Sequence, residues 1–111
     1  MAFLVGQGVL CSFEFNSGIK PQYKRPYLIV SVTPTEIGLL VISTIKGKEH
    51  KLLFKTNKEL INYDPPFKLQ SFVKLDSLIN IPIEAISGLS PLKGGARLDE
   101  TELNEILAGI C

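Results

Sequence analysis

The sequence predicts a mainly β protein: a small, strongly curved antiparallel sheet of barrel-like form, closed by a C-terminal α-helix. Three observations carry that expectation. Between Gly8 and Phe15 residue character alternates, with Val9, Cys11, Phe13 and Phe15 on one face and Leu10, Ser12 and Glu14 on the other. Period two means a strand with one fully apolar face. Further short apolar runs, Tyr27–Val32, Gly38–Ile45 and Ser71–Leu75, are separated by turn-rich segments. At the end of the chain the period changes, and Leu103, Ile106, Leu107 and Ile110 recur at the i, i+3, i+4 and i+7 spacing of a helix face.

The elements follow in order. Gly6 and Gly8 allow a tight entry into the first strand, where Cys11 reads as a buried thiol acting as a small hydrophobe. Asn16 to Tyr23 is turn-rich and too long for a tight hairpin, and loops of such length in compact domains are commonly functional or disordered. Lys24-Arg25-Pro26 then opens the second strand. A proline at that place costs no ladder hydrogen bond and holds Arg25 extended, so the guanidinium is offered at the rim of the sheet. The nearly continuous apolar run Tyr27–Val32 reads as a central strand. Thr33–Glu36 makes a turn, and the third strand stays apolar until Ser43 and Thr44. After a turn at Gly47, the alternation from His50 to Lys55 reads as a fourth strand. Thr56 and Glu59 have the spacing of a capping box, which predicts a short helix ending before Asp64-Pro65-Pro66. Ser71–Leu75 is the fifth strand, Ile83–Leu89 a short edge strand, and Pro91–Gly95 a linker. Asp99 caps the last helix, with Glu102 as box partner and Leu98 against Leu103 as a hydrophobic staple.

A chain of 111 residues is expected to form one domain. Its 45% apolar and 21% charged residues fit an ordinary soluble globular protein. No apolar run approaches the roughly 20 residues that span a bilayer, and the N-terminus lacks the basic and apolar regions of a signal peptide. A cytoplasmic protein is therefore expected. The formal net charge is +1 but unevenly spread. Between Asn16 and Lys58 eight Lys and Arg face only Glu36 and Glu49, whereas from Leu98 onward Asp99, Glu100, Glu102 and Glu105 stand without a cation. This asymmetry suggests an anionic partner on one face; charge balancing for solubility accounts for it without one.

In their order and spacing these signals resemble the MazF/PemK family of endoribonuclease toxins. The features are Gly6-x-Gly8-Val9-Leu10 into Phe13-Glu14-Phe15, a polar loop, Lys24-Arg25-Pro26, and an apolar strand. Ile42-Ser43-Thr44, Ser71-Phe72-Val73-Lys74-Leu75-Asp76 and the closing Leu98-x-x-x-x-Leu103 helix follow. The resemblance covers nearly the whole chain. It implies an SH3-like barrel, a homodimer, and metal-independent cleavage of single-stranded RNA, blocked by a cognate antitoxin protein. It also implies that Arg25 matches the catalytic arginine and that Ser43 or Thr44 matches the catalytic hydroxyl. Gln7, Tyr27 and Ser77 depart from the family's usual residues.

The side chains suit that chemistry. RNA carries its own nucleophile, the 2′-hydroxyl, so a ribonuclease has to orient it and stabilise charge on the phosphorane. An arginine does the second through bidentate contacts to phosphate oxygens, and a neighbouring hydroxyl can hold an oxygen or relay a proton. Asn16, Lys20, Gln22, Tyr23 and Lys24 of the long loop, with Lys46 and Lys48 of the Gly47 turn, are the candidate RNA contacts. Tyr23 is the stacking candidate; Phe15 continues a core face. His50, beside Glu49 in a charged segment, reads as a surface residue, and Asp76 as a turn residue. No His, Cys or Asp grouping has metal-ligand spacing, and no cofactor is expected. Two other readings share the barrel: a non-catalytic module that binds RNA or protein, and a toxin that poisons gyrase.

Overall fold

The computed structural model describes residues 3–11, 25–84 and 89–110, the side chains of Cys11 and Arg25 excepted. Among these residues seven strands form one antiparallel sheet: β1 (Gly8–Cys11), β2 (Arg25–Val32), β3 (Glu36–Thr44), β4 (Asn57–Glu59), β5 (Ser71–Lys74), β6 (Ile79–Pro82) and β7 (Leu89–Pro91). Among the described residues one α-helix, α1 (Glu100–Gly109), follows. The pairing order is β4-β5-β3-β2-β1-β7, with β6 added beside β3. Among the described residues β4 and β7 end the path, so the pairing is not closed into a ring. The molecule is nonetheless compact, with a radius of gyration of 13.2 Å, close to the roughly 13 Å usual for a folded chain of about this length.

β3 organises the sheet. On one edge Ile37–Val41 pairs with β2; on the other, Glu36–Leu39 pairs with β6 and Ile42–Thr44 with β5. One strand thus serves two neighbours in succession, and the sheet divides where β3 passes from one to the other. β2 and β3 are apolar on both sides because both sides are covered. Leu28, Leu40 and Ile42 join Leu60, Phe67, Val73 and the helix residues Leu103 and Ile106 in one core cluster. Tyr27, Ile29, Ile37 and Leu39 join Phe3, Val9, Ile81 and Leu89 in another. A bulge at Val30, between the pairs Ile29↔Leu39 and Ser31↔Gly38, breaks the β2–β3 register and bends the ribbon.

Several expectations hold. The second, third and fifth strands fall where the apolar runs lie, and Val9 is buried. Asp99 caps α1 by accepting a hydrogen bond from the Glu102 amide at 3.2 Å, and Leu98 and Leu103 share a core cluster. Others are corrected. His50–Lys55 is not a strand: Glu49–Leu53 forms a 3-10 turn, which leaves Leu53 and Phe54 exposed. Nor does Thr56–Glu59 start a helix. Asn57–Glu59 is β4, paired to Lys74–Phe72 of β5. An edge strand lies at Leu89–Pro91, paired with β1; of the expected Ile83–Leu89 strand, Ile83 and Glu84 belong to no strand, and residues 85–88 lie outside the described residues. The supposed linker after it contains a 3-10 turn, Lys93–Gly95. Phe13, Phe15, the loop from Asn16 to Lys24, the Cys11 thiol and Cys111 lie outside the described residues. No helix among the described residues is long and apolar enough to cross a membrane.

Gly8 shows how tightly the entry strand packs. A Cβ there would stand 2.9 Å from Phe67 Cε1 and 2.9 Å from Pro66 Cγ. Both belong to the segment that crosses over β1, and Phe67 is itself in the core. Gly8→Ala is therefore expected to cost about 1–3 kcal/mol, read as a lowered urea midpoint with unchanged slope. An unaltered midpoint would show that the Pro66–Phe67 segment yields freely.

Candidate functional site

β3 ends at Thr44, where its last pairs are Ile42↔Val73, Ser43↔Phe72 and Thr44↔Ser71. Successive strand residues point to opposite sides, and the two hydroxyls separate accordingly. Ser43 is only 9% exposed, and its Oγ accepts a hydrogen bond from Lys48 Nζ at 3.0 Å. Thr44 is half-buried and lines two clefts that share Lys68 and Leu69 as well. The larger, about 580 Å³, is completed by Ile45, Lys46, Glu49, Tyr63 and Gln70. The smaller, about 290 Å³, is walled by Leu10, Pro26, Pro66, Phe67 and Leu92, with Ser71 and Lys93.

The sheet register brings Pro26 to this groove. β1 and β2 pair Leu10 with Pro26 and Cys11 with Arg25, so Leu10 and Pro26 stand together in the wall of the smaller cleft. The Arg25 backbone is thus one residue from a wall that Thr44 shares. The β2–β3 pairs begin only at Tyr27↔Val41, so the proline stands outside that ladder, as its missing N–H requires.

The opposite bank is the segment from Leu60 to Gln70, which joins β4 to β5. Buried Leu60 donates to the Ser71 carbonyl at 3.0 Å, and Gln70 accepts from the Ile45 amide at 3.0 Å. Between them the Phe67 amide donates to the Tyr63 carbonyl at 2.7 Å. The ammonium of Lys93 meets Asp64 at 2.6 Å. From α1, the Glu102 carboxylate accepts the Ile61 and Asn62 amides, the latter at 2.8 Å. A segment fastened at so many points can present Tyr63, Lys68, Leu69 and Gln70 in fixed positions, as a preformed site needs. The Gly47 turn, with φ +79° at the glycine, brings Lys46 and Glu49 in from the other side.

Charge around the groove is predominantly positive. Lys93 is compensated by Asp64, but Lys46, Lys68 and Glu49 make no ion pair among the described residues. Lys58, one of the cations of the basic middle, lies 4.0 Å from Glu105 of α1. Part of the acidic end therefore neutralises β4, away from the groove.

Of the candidates named from sequence, the structure brings Thr44 and Lys46 to one cleft and sets Pro26 beside it. Ser43 and Lys48 are joined to each other instead. Asn16, Lys20, Gln22, Tyr23 and Lys24, and the Arg25 side chain, lie outside the described residues. His50 is exposed in the 3-10 turn. The turn after β5 is held by Ser77, not by exposed Asp76: Ser77 Oγ donates to the Lys74 carbonyl at 2.6 Å and accepts the Val41 amide at 2.9 Å. Gln7 accepts from the Leu4 amide at 2.8 Å and donates to the Gly95 carbonyl at 3.0 Å. Tyr27 is buried in the second core cluster. The three residues that depart from the family pattern are thus structural ones, set apart from the groove lining.

Tyr63, Lys68 and Gln70 are cleft residues that the sequence did not single out. Their signal was an eleven-residue connection, Leu60 to Gln70, holding an aromatic and a cation, a combination that loops use for binding. Among the described residues no group of three His, Cys, Asp or Glu is clustered as a metal site. The chain matches no protein-family model and no curated protein sequence.

Proposed function

We propose that the protein is an endoribonuclease of MazF/PemK type, an SH3-like barrel toxin that cuts single-stranded RNA without a metal. Thr44 and Arg25 act at the scissile phosphate. The observation that supports this most is the groove wall common to Thr44 and Pro26, which sets a half-buried hydroxyl near the residue that follows Arg25. The excess of cations along the groove favours a polyanion.

In the proposed reaction the substrate 2′-oxygen attacks the adjacent phosphorus and the bond to the 5′-oxygen breaks. The 2′-hydroxyl gives up its proton, and the departing 5′-oxygen takes one up. The products are a 2′,3′-cyclic phosphate and a free 5′-hydroxyl. Arg25 stabilises the charge gathered on the non-bridging oxygens, and Thr44 orients one of them. Ser43, engaged by Lys48, has no part in the step. In the cell the toxin is a homodimer held inactive by a cognate antitoxin.

The test is incubation of purified protein with a long single-stranded RNA in excess EDTA, followed by end-group analysis. Discrete fragments ending in 2′,3′-cyclic phosphate are expected. Activity lost on chelation and restored by magnesium would overturn the mechanism. A mobility shift without cutting would make the protein a binding module, and gyrase-dependent DNA breaks would make it a gyrase poison.

A further inference from the structure

The two clefts that meet at Thr44 differ in chemistry. The larger has Glu49, Lys46, Lys68, Gln70 and the Tyr63 ring around it. The smaller is walled mainly by carbon, from Leu10, Pro26, Pro66, Phe67 and Leu92. Its Ser71 hydroxyl already donates to the Leu69 carbonyl at 2.7 Å.

We propose, building on the RNA reading above, that the groove holds two successive bases, one on each side of Thr44. The larger cleft reads the hydrogen-bonding edge of a base that carries an exocyclic amino group. The smaller cleft grips the neighbouring base by its faces.

Glu49 is the residue that decides the chemistry of the larger cleft. A carboxylate accepts hydrogen bonds and donates none, and it repels phosphate. Where the ligand is a nucleic acid, it is useful only towards donors. Its one hydrogen bond among the described residues, from the Gly47 amide, is long at 3.4 Å and exposed. Exocyclic amino groups of adenine, cytosine and guanine suit it, whereas uracil turns carbonyl oxygens to either side of its single N–H. Gln70, exposed on the facing bank, adds one acceptor and two donors, the set that pairs with adenine as Glu does with cytosine. Lys46 and Lys68 keep the cleft attractive to the backbone on which the base hangs. The smaller cleft offers little that distinguishes base edges, so it holds any base by packing, which tolerates sequence. One position of strong preference next to one of weak preference follows from the difference in lining.

The test uses the full-length protein and a pool of random single-stranded RNAs whose 2′-hydroxyls are replaced by fluorine. Such a pool can bind but cannot be cut. Sequencing of the retained fraction should show amino-bearing bases enriched over uracil at one position, on the order of tenfold, beside a position with little preference. Glu49→Gln and Gln70→Ala, both at exposed side chains, should each flatten the preferred position while the pool as a whole is still retained. Enrichment of uracil there, or a preference unchanged in both variants, would overturn the assignment and leave the RNA reading standing. Failure of the wild type to retain the pool at low salt would overturn both.

Discussion

Arg25→Ala is expected to slow RNA cleavage by about a thousandfold, the scale set by removing a preorganised charged donor from a phosphoryl-transfer site, and to leave the melting temperature unchanged. Arg25 is the first residue of β2, and among the described side chains of that strand the first in a core cluster is Tyr27. Arg25→Lys should recover only part of the rate, because an ammonium keeps the charge but loses the planar two-point contact. The hydroxyls provide the control. Thr44→Val should lose about tenfold to a hundredfold, since it removes a grouping that lines the groove. Ser43→Ala should stay near the wild-type rate, since Ser43 faces Lys48 and away from the clefts. Single-turnover rates on one RNA substrate, with melting curves for each variant, decide the matter. A wild-type rate in Arg25→Ala, or a larger loss in Ser43→Ala than in Thr44→Val, would remove the catalytic pair from the groove.

The central strands were legible because their signal is strong and local. Tyr27–Ile29 and Ile37–Ile42 are apolar on both faces, and the structure uses both, one cluster on each side. The terminal helix was legible through its Asp99 cap and the Leu103–Ile106 spacing. What failed were elements set by distant partners. Thr56–Glu59 has the right spacing for a helix start, but four residues of local preference yield to the ladder that Asn57–Glu59 forms with β5. The alternation from His50 to Lys55 has no partner strand among the described residues. It winds into a 3-10 turn, where Asn57 Nδ2 caps the Lys51 carbonyl at 2.9 Å. The site followed the same rule. Ser43 and Thr44 stood out as hydroxyls ending an apolar strand, and only the register with β5 tells which of them faces the groove. Tyr63, Lys68 and Gln70 reach it through anchors that no local spacing reveals.

Chief among those anchors is Glu102, and its replacement should have the largest effect on stability. A carboxylate only 4% exposed would ordinarily be costly, yet here both oxygens accept backbone amides of the crossing segment, Ile61 on one and Asn62 on the other. Charged acceptors make the stronger class of hydrogen bond, roughly 1.5–3 kcal/mol each. Sequence spacing assigned Glu102 to a capping box; the structure gives the cap to Asp99 alone and sends the Glu102 side chain across to the 61–62 turn. Glu102→Ala should therefore cost about 3 kcal/mol, a fall in Tm on the order of 10 °C. Glu102→Gln is the informative partner. It preserves shape and one acceptor oxygen but sets an NH2 donor against one of the two amides, so it should recover less than half of the loss. The segment so released carries Tyr63, Lys68, Leu69 and Gln70, which line the larger cleft. Both variants should then bind single-stranded RNA more weakly at temperatures where they remain folded, although position 102 lines neither cleft. Thermal melts and binding isotherms for the two variants supply the check. Full stability in Glu102→Gln would mean that one amide contact suffices. Full stability with undiminished RNA binding in Glu102→Ala would mean that α1 does not hold the cleft bank in place.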